Sequence, residues 1–400
     1  MALEIEEAQE LLNVQIKPIT ETETVLLMDS VGRVLAEDLV ALRDQPPFPR
    51  SPLDGYAFHG EDSSGATKDA PVKLKVLGKI YAGDVFEGVV GPGEAVKLMT
   101  GAPIPDGANC VIRQEDTDEG EEEVALYTSI APYQNYCYQG EDYKAGEVLI
   151  PVGTQINAGA VSVISSLGKD RVEVLRKARV GIITSGDEVL APGMDWKPGK
   201  IFDSNRAYIG ARLMECGTAP FVSVHAEDKA ESVADEIRKA VEAGCDLVIT
   251  TGGVSVGEKD IMHDIGDILG AERLFWRVRI KPGSPTMAYS YHGVPVICLS
   301  GNPFGAIANY EILIRGMLYK LTGQICWKMQ TEDMLIQNEY KKTGGRRFLR
   351  GQAADGKVSL CGAEKSVGVL HALAECNCLV EMPQTGQPVK VGDTVKVYYL

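Results

Sequence analysis

Three short segments hold residue types suited to gripping an anion: Thr184-Ser185-Gly186-Asp187-Glu188, the run TTGGVSVG from Thr250 to Gly257, and Ser300-Gly301-Asn302-Pro303. Each follows an apolar run. Glycine lets backbone N–H groups come close to a ligand, and hydroxyl or amide side chains cap the helix that comes next. Asn302 before Pro303 reads as an N-cap with proline at the first helical position. The free amides of such a helix start attract anions. A single Gly-rich loop is most often just a tight turn. Three on one sheet edge predict a phosphate-binding crevice formed by Ser185, Gly186, Gly252, Gly253, Ser255, Gly301 and Asn302.

Acids recur at the same edge: Asp187 and Glu188, Asp228, Glu258 and Asp260. Oxygen ligands beside phosphates describe a magnesium site, with water completing the octahedron. The same residues also suit the first turns of helices, and for Asp228 the two readings stand level. Arg277, Arg279 and Lys281 alternate in RVRIK. On a strand this spacing puts all three on one face, which must meet solvent or an anion. Arg346, Arg347 and Arg350 form a second basic group. Either group also fits a solvated sheet edge.

Other chemistries are disfavoured. The five histidines form no HExxH, and there is no GxxxxGK[ST] and no GxGxxG, so a zinc hydrolase, a P-loop enzyme and a dinucleotide-binding enzyme are poor readings. GVSVG (253–257) has the GxSxG spacing, but a covalent serine hydrolase is disfavoured.

The elements that must position these loops follow from periodicity. Residues 3–12 carry apolar residues at helical spacing, and residues 31–39 continue that pattern. DQPPFPRSPLDG then refuses both helix and sheet, because proline fixes φ and removes donors. From 71 to 127 short alternating runs (VKLKVLGKI, EAVKLM, CVIRQ, EVALYT) predict a β-rich segment, with the acidic run 115–123 as a solvated hairpin loop. From Arg179 strands alternate with helices: VGIITS, a helix at 205–216, FVSVH, a helix at 230–243, DLVITT, a helix at 261–269, strands LFWRVRI and VPVICL, and a helix from Pro303 to about Leu321. That order predicts a doubly wound, mostly parallel sheet, whose ligands bind beyond the carboxyl ends of its strands. From Met329 the period returns to two, as in a small barrel-like β domain.

Composition sets the frame. Four hundred residues, 44% hydrophobic and 24% charged, with a mean hydropathy of −0.06, exclude a disordered or coiled-coil chain and leave room for two or three domains. The net charge of −16 repels a phosphate backbone, so nucleic acid is not an expected partner. There is no signal-peptide pattern and no membrane-length apolar run. Nine cysteines without a CxxC pair fit reduced thiols of a cytoplasmic protein, and Cys376 and Cys378 fit a half-buried strand better than a metal site.

Taken together, SPLDGYA (51–57), MTGAPIPDGAN (99–109), GED (140–142), TSGDEV, FDSNR (202–206), TTGGVSVGEKD, IKPG, SGNP and FLRG resemble the molybdopterin molybdenumtransferases, the MoeA and gephyrin E-domain family, over essentially the whole chain. The resemblance implies insertion of molybdate into adenylylated molybdopterin with magnesium-dependent release of AMP. It also implies a homodimer whose active site is shared between chains, and contact with a molybdopterin adenylyltransferase. The implied domains are 1–50 with 143–177 (irregular α+β linking), 51–142 (β-rich insert), 178–323 (molybdopterin-binding α/β) and 324–400 (C-terminal β). The implied catalytic residues are Asp54, Thr100, Asp142, Glu188, Asp228 and Asp260. Glu188, Asp228 and Asp260 would hold Mg²⁺, while Arg277, Lys281 and Arg350 join the anion-binding set. Three departures stand out: Tyr136 to Gln139 replace a basic run, Ser284 a lysine and Ser300 a proline. They leave open a catalytically impaired pterin-binding or scaffolding paralogue, or a tungstate-inserting variant.

Overall fold

A computed structural model describes residues 2–253, 262–341, 344–362, 370–384 and 387–400. The chain divides into two compact units. The first comprises Met1–Ala36, Gly153–Val161 and Arg171–Leu400; the second comprises Glu37–Val152 and Ser162–Asp170.

The first unit is built on a six-stranded sheet among the described residues. Its order is Val222–Ala226, Val180–Ser185, Leu247–Thr251, Val294–Leu299, Met287–Tyr291, Glu272–Trp276. The first four are mutually parallel, and Met287–Tyr291 is antiparallel to both of its neighbours. Val180–Ser185 and Leu247–Thr251 are buried throughout, as their unbroken apolar character demands of central strands covered on both faces. The crossover from Val180–Ser185 goes outward to Val222–Ala226, and the next returns to the opposite side. The topological switch therefore lies between the ends of Val180–Ser185 and Leu247–Thr251, where a crevice must open.

The helix Ser204–Glu215 begins at an Asp203 cap and buries Ile209 and Leu213. Ala230–Glu242 buries Ala230, Val233, Ala234, Ile237 and Ala240 on one face. A continuous helical run from Pro303 ends at Gly323, which takes φ 70, and one π turn at Tyr310–Ile314 interrupts it. The N-terminal helix, Ile5–Gln15, opens with a reciprocal Glu4/Glu7 capping box and buries Ile5, Ala8 and Leu12. A closed barrel of five strands among the described residues, Thr331–Ile336, Lys357–Leu360, Arg347–Ala354, Cys378–Met382 and Thr394–Tyr399, completes the unit.

The second unit holds a five-stranded sheet, in the order Cys110–Arg113, Gly55–Phe58, Glu94–Leu98, Val72–Ile80, Glu123–Leu126. The acidic run turns back on itself through a Thr117–Leu126 bridge, with Asp118 Oδ1 accepting from the amides of Gly120 and Ala125.

Three local expectations are corrected. Residues 31–39 form no helix: Gly32 takes φ 78, and Val34 and Leu35 instead bridge to Gln155 and Val174. The strand expected over LFWRVRI stops at Trp276, because Arg277 adopts φ 72, a left-handed conformation that ends an extended run. The strand Met287–Tyr291 was not foreseen. It pairs with Val294–Leu299 through a two-residue turn, His292 at φ 49 and Gly293 at φ 79, both positive as a type I′ hairpin turn requires.

Candidate functional site

A crevice of about 340 Å³ opens at the carboxyl ends of the central strands. Its wall includes Ser185, Gly186 and Glu188 from the first predicted loop, Gly252 and Gly253 from the second, and Ser300, Gly301 and Asn302 from the third. Asp228 joins them from the loop after Val222–Ala226. The structure thus brings together eight residues of the predicted site, with Ser300 of the third loop beside them. Ser255 and Asp260 lie outside the described residues.

Backbone geometry explains the glycine at the centre. Gly252 has φ 100, and a Cβ there would stand 2.2 Å from the Ser185 carbonyl oxygen. Only glycine lets the second loop lie against the first. Asn302 caps the helix starting at Pro303, its Oδ1 accepting from the Gly305 amide at 3.2 Å. Ser300, one of the departures, receives the Asn302 amide on its hydroxyl at 3.2 Å, a contact that a proline could not make.

Two wall residues, Asp203 and Asn205, were not singled out in the sequence. The Thr184 hydroxyl donates to Asp203 Oδ2 at 2.7 Å and lies 3.2 Å from His225 Nδ1. Asp203 Oδ1 accepts from the Arg206 amide as the N-cap. Asn205 Nδ2 donates to the Gly301 carbonyl at 3.1 Å. The signal was present in FDSNR: an Asp-Ser-Asn run just before an amphipathic helix marks a cap.

Three wall atoms are buried without a hydrogen-bond partner among the described residues: Ser185 Oγ, Asn205 Oδ1 and Asp228 Oδ1. Buried polar atoms are normally satisfied, so three in one cavity mark a place where a polar ligand supplies the partners. The wall carries three carboxylates, Glu188, Asp203 and Asp228, and no lysine or arginine among the described residues. Arg206 answers Asp203 at 3.2 Å, which leaves Glu188 and Asp228 as the charges a phosphate would meet, and a cation beside them would offset that repulsion. Glu188 and Asp228 suit Mg²⁺, which takes one or two carboxylates and completes its shell from phosphates and water. No group of three or more His, Cys, Asp and Glu side chains able to hold a metal occurs among the described residues.

The expected cations sit elsewhere. Arg277, Arg279 and Lys281 do not share a strand face, since the strand has ended. Arg277 packs against the Trp276 ring at 5.2 Å, and Arg279 pairs with Glu4 at 2.7 Å. Arg279 and Lys281 line a separate cavity of about 300 Å³ with Ser284, Arg346 and Glu4. Arg350 is buried in the barrel wall, its guanidinium 4.5 Å from the Phe304 ring centre, and burial pulls its pKa down.

The second unit gathers two more predicted residues. Thr100 donates to Asp54 Oδ1 twice, from its amide and its hydroxyl, each at 2.7 Å. These bonds hold the Asp54 carboxyl below its ordinary range. Asp142 is exposed, with its amide on the Gln45 carbonyl. In place of a basic run, Tyr136 and Tyr138 pack with Tyr133.

Comparison with known proteins matches this architecture. The chain fits the MoeA N-terminal region (domain I and II) over residues 3–168, a probable molybdopterin binding domain over 181–320 and the MoeA C-terminal region (domain IV) over 336–400. The chain belongs to the MoeA family. Within that family it is 34% identical over 376 residues to a molybdopterin molybdenumtransferase of Staphylococcus epidermidis, covering 93% of this chain and 89% of that protein. It is also 34% identical to the Staphylococcus aureus (strain COL) enzyme of the same name, covering 94% and 90%. A molybdopterin biosynthesis MoeA protein from Pyrococcus horikoshii superposes with a TM-score of 0.88 at 29% identity, covering 100% of this chain and 99% of that one. In this MoeA-family chain the crevice falls inside the match to the molybdopterin binding domain, Asp54, Thr100 and Asp142 inside the N-terminal match, and Arg350 inside the C-terminal match.

Proposed function

We propose that this MoeA-family chain is a molybdopterin molybdenumtransferase that inserts molybdate into adenylylated molybdopterin and releases AMP. The observation that carries the reading is the trio of unpartnered buried atoms, Ser185 Oγ, Asn205 Oδ1 and Asp228 Oδ1, facing one crevice at the sheet's switch point. The names of the staphylococcal relatives support the same activity.

In this reading the Gly252 and Gly253 backbone and the Ser185 hydroxyl hold the phosphates, and Asn205 orients the linkage that breaks. Water adds to one phosphorus of the pyrophosphate link as its P–O–P bond breaks, so AMP and the pterin phosphate part as monoesters, and no side chain has to form a covalent intermediate. Glu188 and Asp228, with Asp260, would hold Mg²⁺, which would supply polarisation of the phosphate oxygens. Lys281, with Arg279 beside it, concentrates molybdate through its charge; Arg277 and Arg350 are assigned to the same anion-binding set. The Ser284 and Ser300 departures leave turnover in place.

The enzyme works as a homodimer. Asp54, its Thr100 partner and Asp142 are supplied to each crevice by a second copy of the chain. It acts in the cytoplasm, beside a molybdopterin adenylyltransferase that makes its substrate. No helix among the described residues is long and apolar enough to cross a membrane.

The test is AMP release by the purified protein given adenylylated molybdopterin, molybdate and Mg²⁺. Release that depends on molybdate is expected. Tight pterin binding without AMP release would instead identify a binding or scaffolding paralogue. Mixing Asp54→Ala and Asp228→Asn chains, each inactive alone, should restore part of the activity if the site is shared between chains.

A further inference from the structure

A cavity of about 300 Å³, separate from the crevice, is lined by Cys216 and Cys326 together with Arg33, Lys177, Glu215 and Gln324. Local structure brings the two cysteines together. Cys216 caps the C-terminal end of helix Ser204–Glu215, and Cys326 sits in the 3-10 turn Ile325–Trp327 just after Gly323 ends the long helix. Gln324 joins the segments, its Nε2 donating to the Cys216 carbonyl at 3.4 Å. Arg315 Nη2 donates to the Cys326 carbonyl at 3.3 Å.

Cys216 and Cys326 line this one cavity as free cysteines. The neighbouring Cys216 thiol, with the Arg315 charge, draws the Cys326 thiol below its ordinary range, while the Cys216 thiol is pushed up. Burial works the other way on Cys110, Cys245 and Cys378, which are pushed up to about 12, 11 and 12. A thiol that ionises readily, is half-exposed and has a second thiol in reach is the reactive kind, and buried high-pKa thiols are inert. Arg33 and Lys177 share the cavity with Asp29 and Glu215, so it opens the pair to a small disulfide without selecting for its charge.

We propose that Cys216 and Cys326 form a reversible dithiol–disulfide pair, oxidised by exchange with a low-molecular-weight disulfide. The Cys326 thiolate attacks one sulfur of the small disulfide, giving a mixed disulfide and one departing thiolate. That thiolate takes the Cys216 proton. The Cys216 thiolate then attacks the Cys326 sulfur, the Cys216–Cys326 bond forms and the second small thiolate leaves. One small disulfide is reduced to two thiols for each pair oxidised.

The test uses the full chain, oxidised glutathione, rapid alkylation and peptide mapping by mass spectrometry. Wild-type protein is expected to lose two alkylatable thiols without gaining glutathione. A peptide joining Cys216 to Cys326 should appear and be reversed by dithiothreitol. Cys216→Ser should stop at a stable glutathione adduct on Cys326, and Cys326→Ser should react at Cys216 about tenfold more slowly or less. A crosslink between Cys361 and Cys376 instead, a persistent wild-type adduct, or no loss of thiols at these two positions overturns the proposal. Because mapping of the wild-type chain decides the question, a variant that misfolds does not shield it.

Discussion

Thr184 and Asp203 are locked together in the crevice wall: a strand-end hydroxyl donates to the carboxylate that caps the next helix, at 2.7 Å, with both residues buried. One carboxylate therefore does two jobs, fixing the start of helix Ser204–Glu215 and satisfying a strand-end hydroxyl. Asp203→Ala removes the cap, worth about 1 kcal/mol, and strands a buried hydroxyl, costing about 1–3 kcal/mol more. Urea denaturation should show a loss of about 2–4 kcal/mol. Asp203→Asn, which keeps an acceptor, should cost less than half of that.

Gly252→Ala places a Cβ against the Ser185 carbonyl at a backbone angle that side chains resist. Strain of this kind costs on the order of 1–3 kcal/mol. The loops must part to relieve it, so adenylylated molybdopterin should bind at least about tenfold more weakly, a loss of about 1.4 kcal/mol. Calorimetric titration of the variant checks this. Unchanged affinity would show that the close approach of the two loops is not needed.

The Asp54 carboxyl should titrate below the usual aspartate range in a carbon-detected NMR experiment, since Thr100 hydrogen-bonds its charged form. Its folded pKa is depressed, so the interaction stabilises the fold above the unfolded carboxyl's pKa. That contribution is lost as pH falls through the lower folded value. Thr100→Val removes the hydroxyl and keeps the amide donor, and should move the titration part of the way back up. No movement would place the shift elsewhere.

Glu311 is buried and bonded to Tyr208, Arg212 and Arg315, with distances of 2.8 Å to Arg212 and 3.3 Å to Arg315. Glu311→Leu leaves the buried Arg315 guanidinium without its counter-charge and Arg212 with only the exposed Glu215, a change that costs about 3–5 kcal/mol. Thermal unfolding should show a large drop. Replacing all three charges by apolar residues of similar volume should recover most of it.

Much of the site was legible because its elements obey local rules. Apolar runs of strand length followed by small residues, and a helix start at Asn302-Pro303, place eight wall residues without reference to distant sequence. The cap at Asp203 was readable in FDSNR, but its bond to Thr184 and the bond of Asn205 to the Gly301 carbonyl are long-range relations that no local pattern encodes. The alternation Arg277-Arg279-Lys281 misled for a different reason. Period two is the mark of a strand only while φ stays extended, and Arg277 leaves that region. Met287–Tyr291 could have been found from the His292-Gly293 turn between two alternating runs. The pairing of Asp54 with Thr100 joins the ends of neighbouring strands in a sheet, so it was available only through family resemblance.

The most direct test is a crystal structure of the protein soaked with adenylylated molybdopterin and Mg²⁺. The account predicts phosphate density within hydrogen-bonding reach of Ser185 Oγ and the Gly252 backbone, with a cation beside Glu188 and Asp228. Substrate seated instead in the cavity bounded by Arg279 and Lys281, with nothing bound between Ser185 and Asn302, would contradict it.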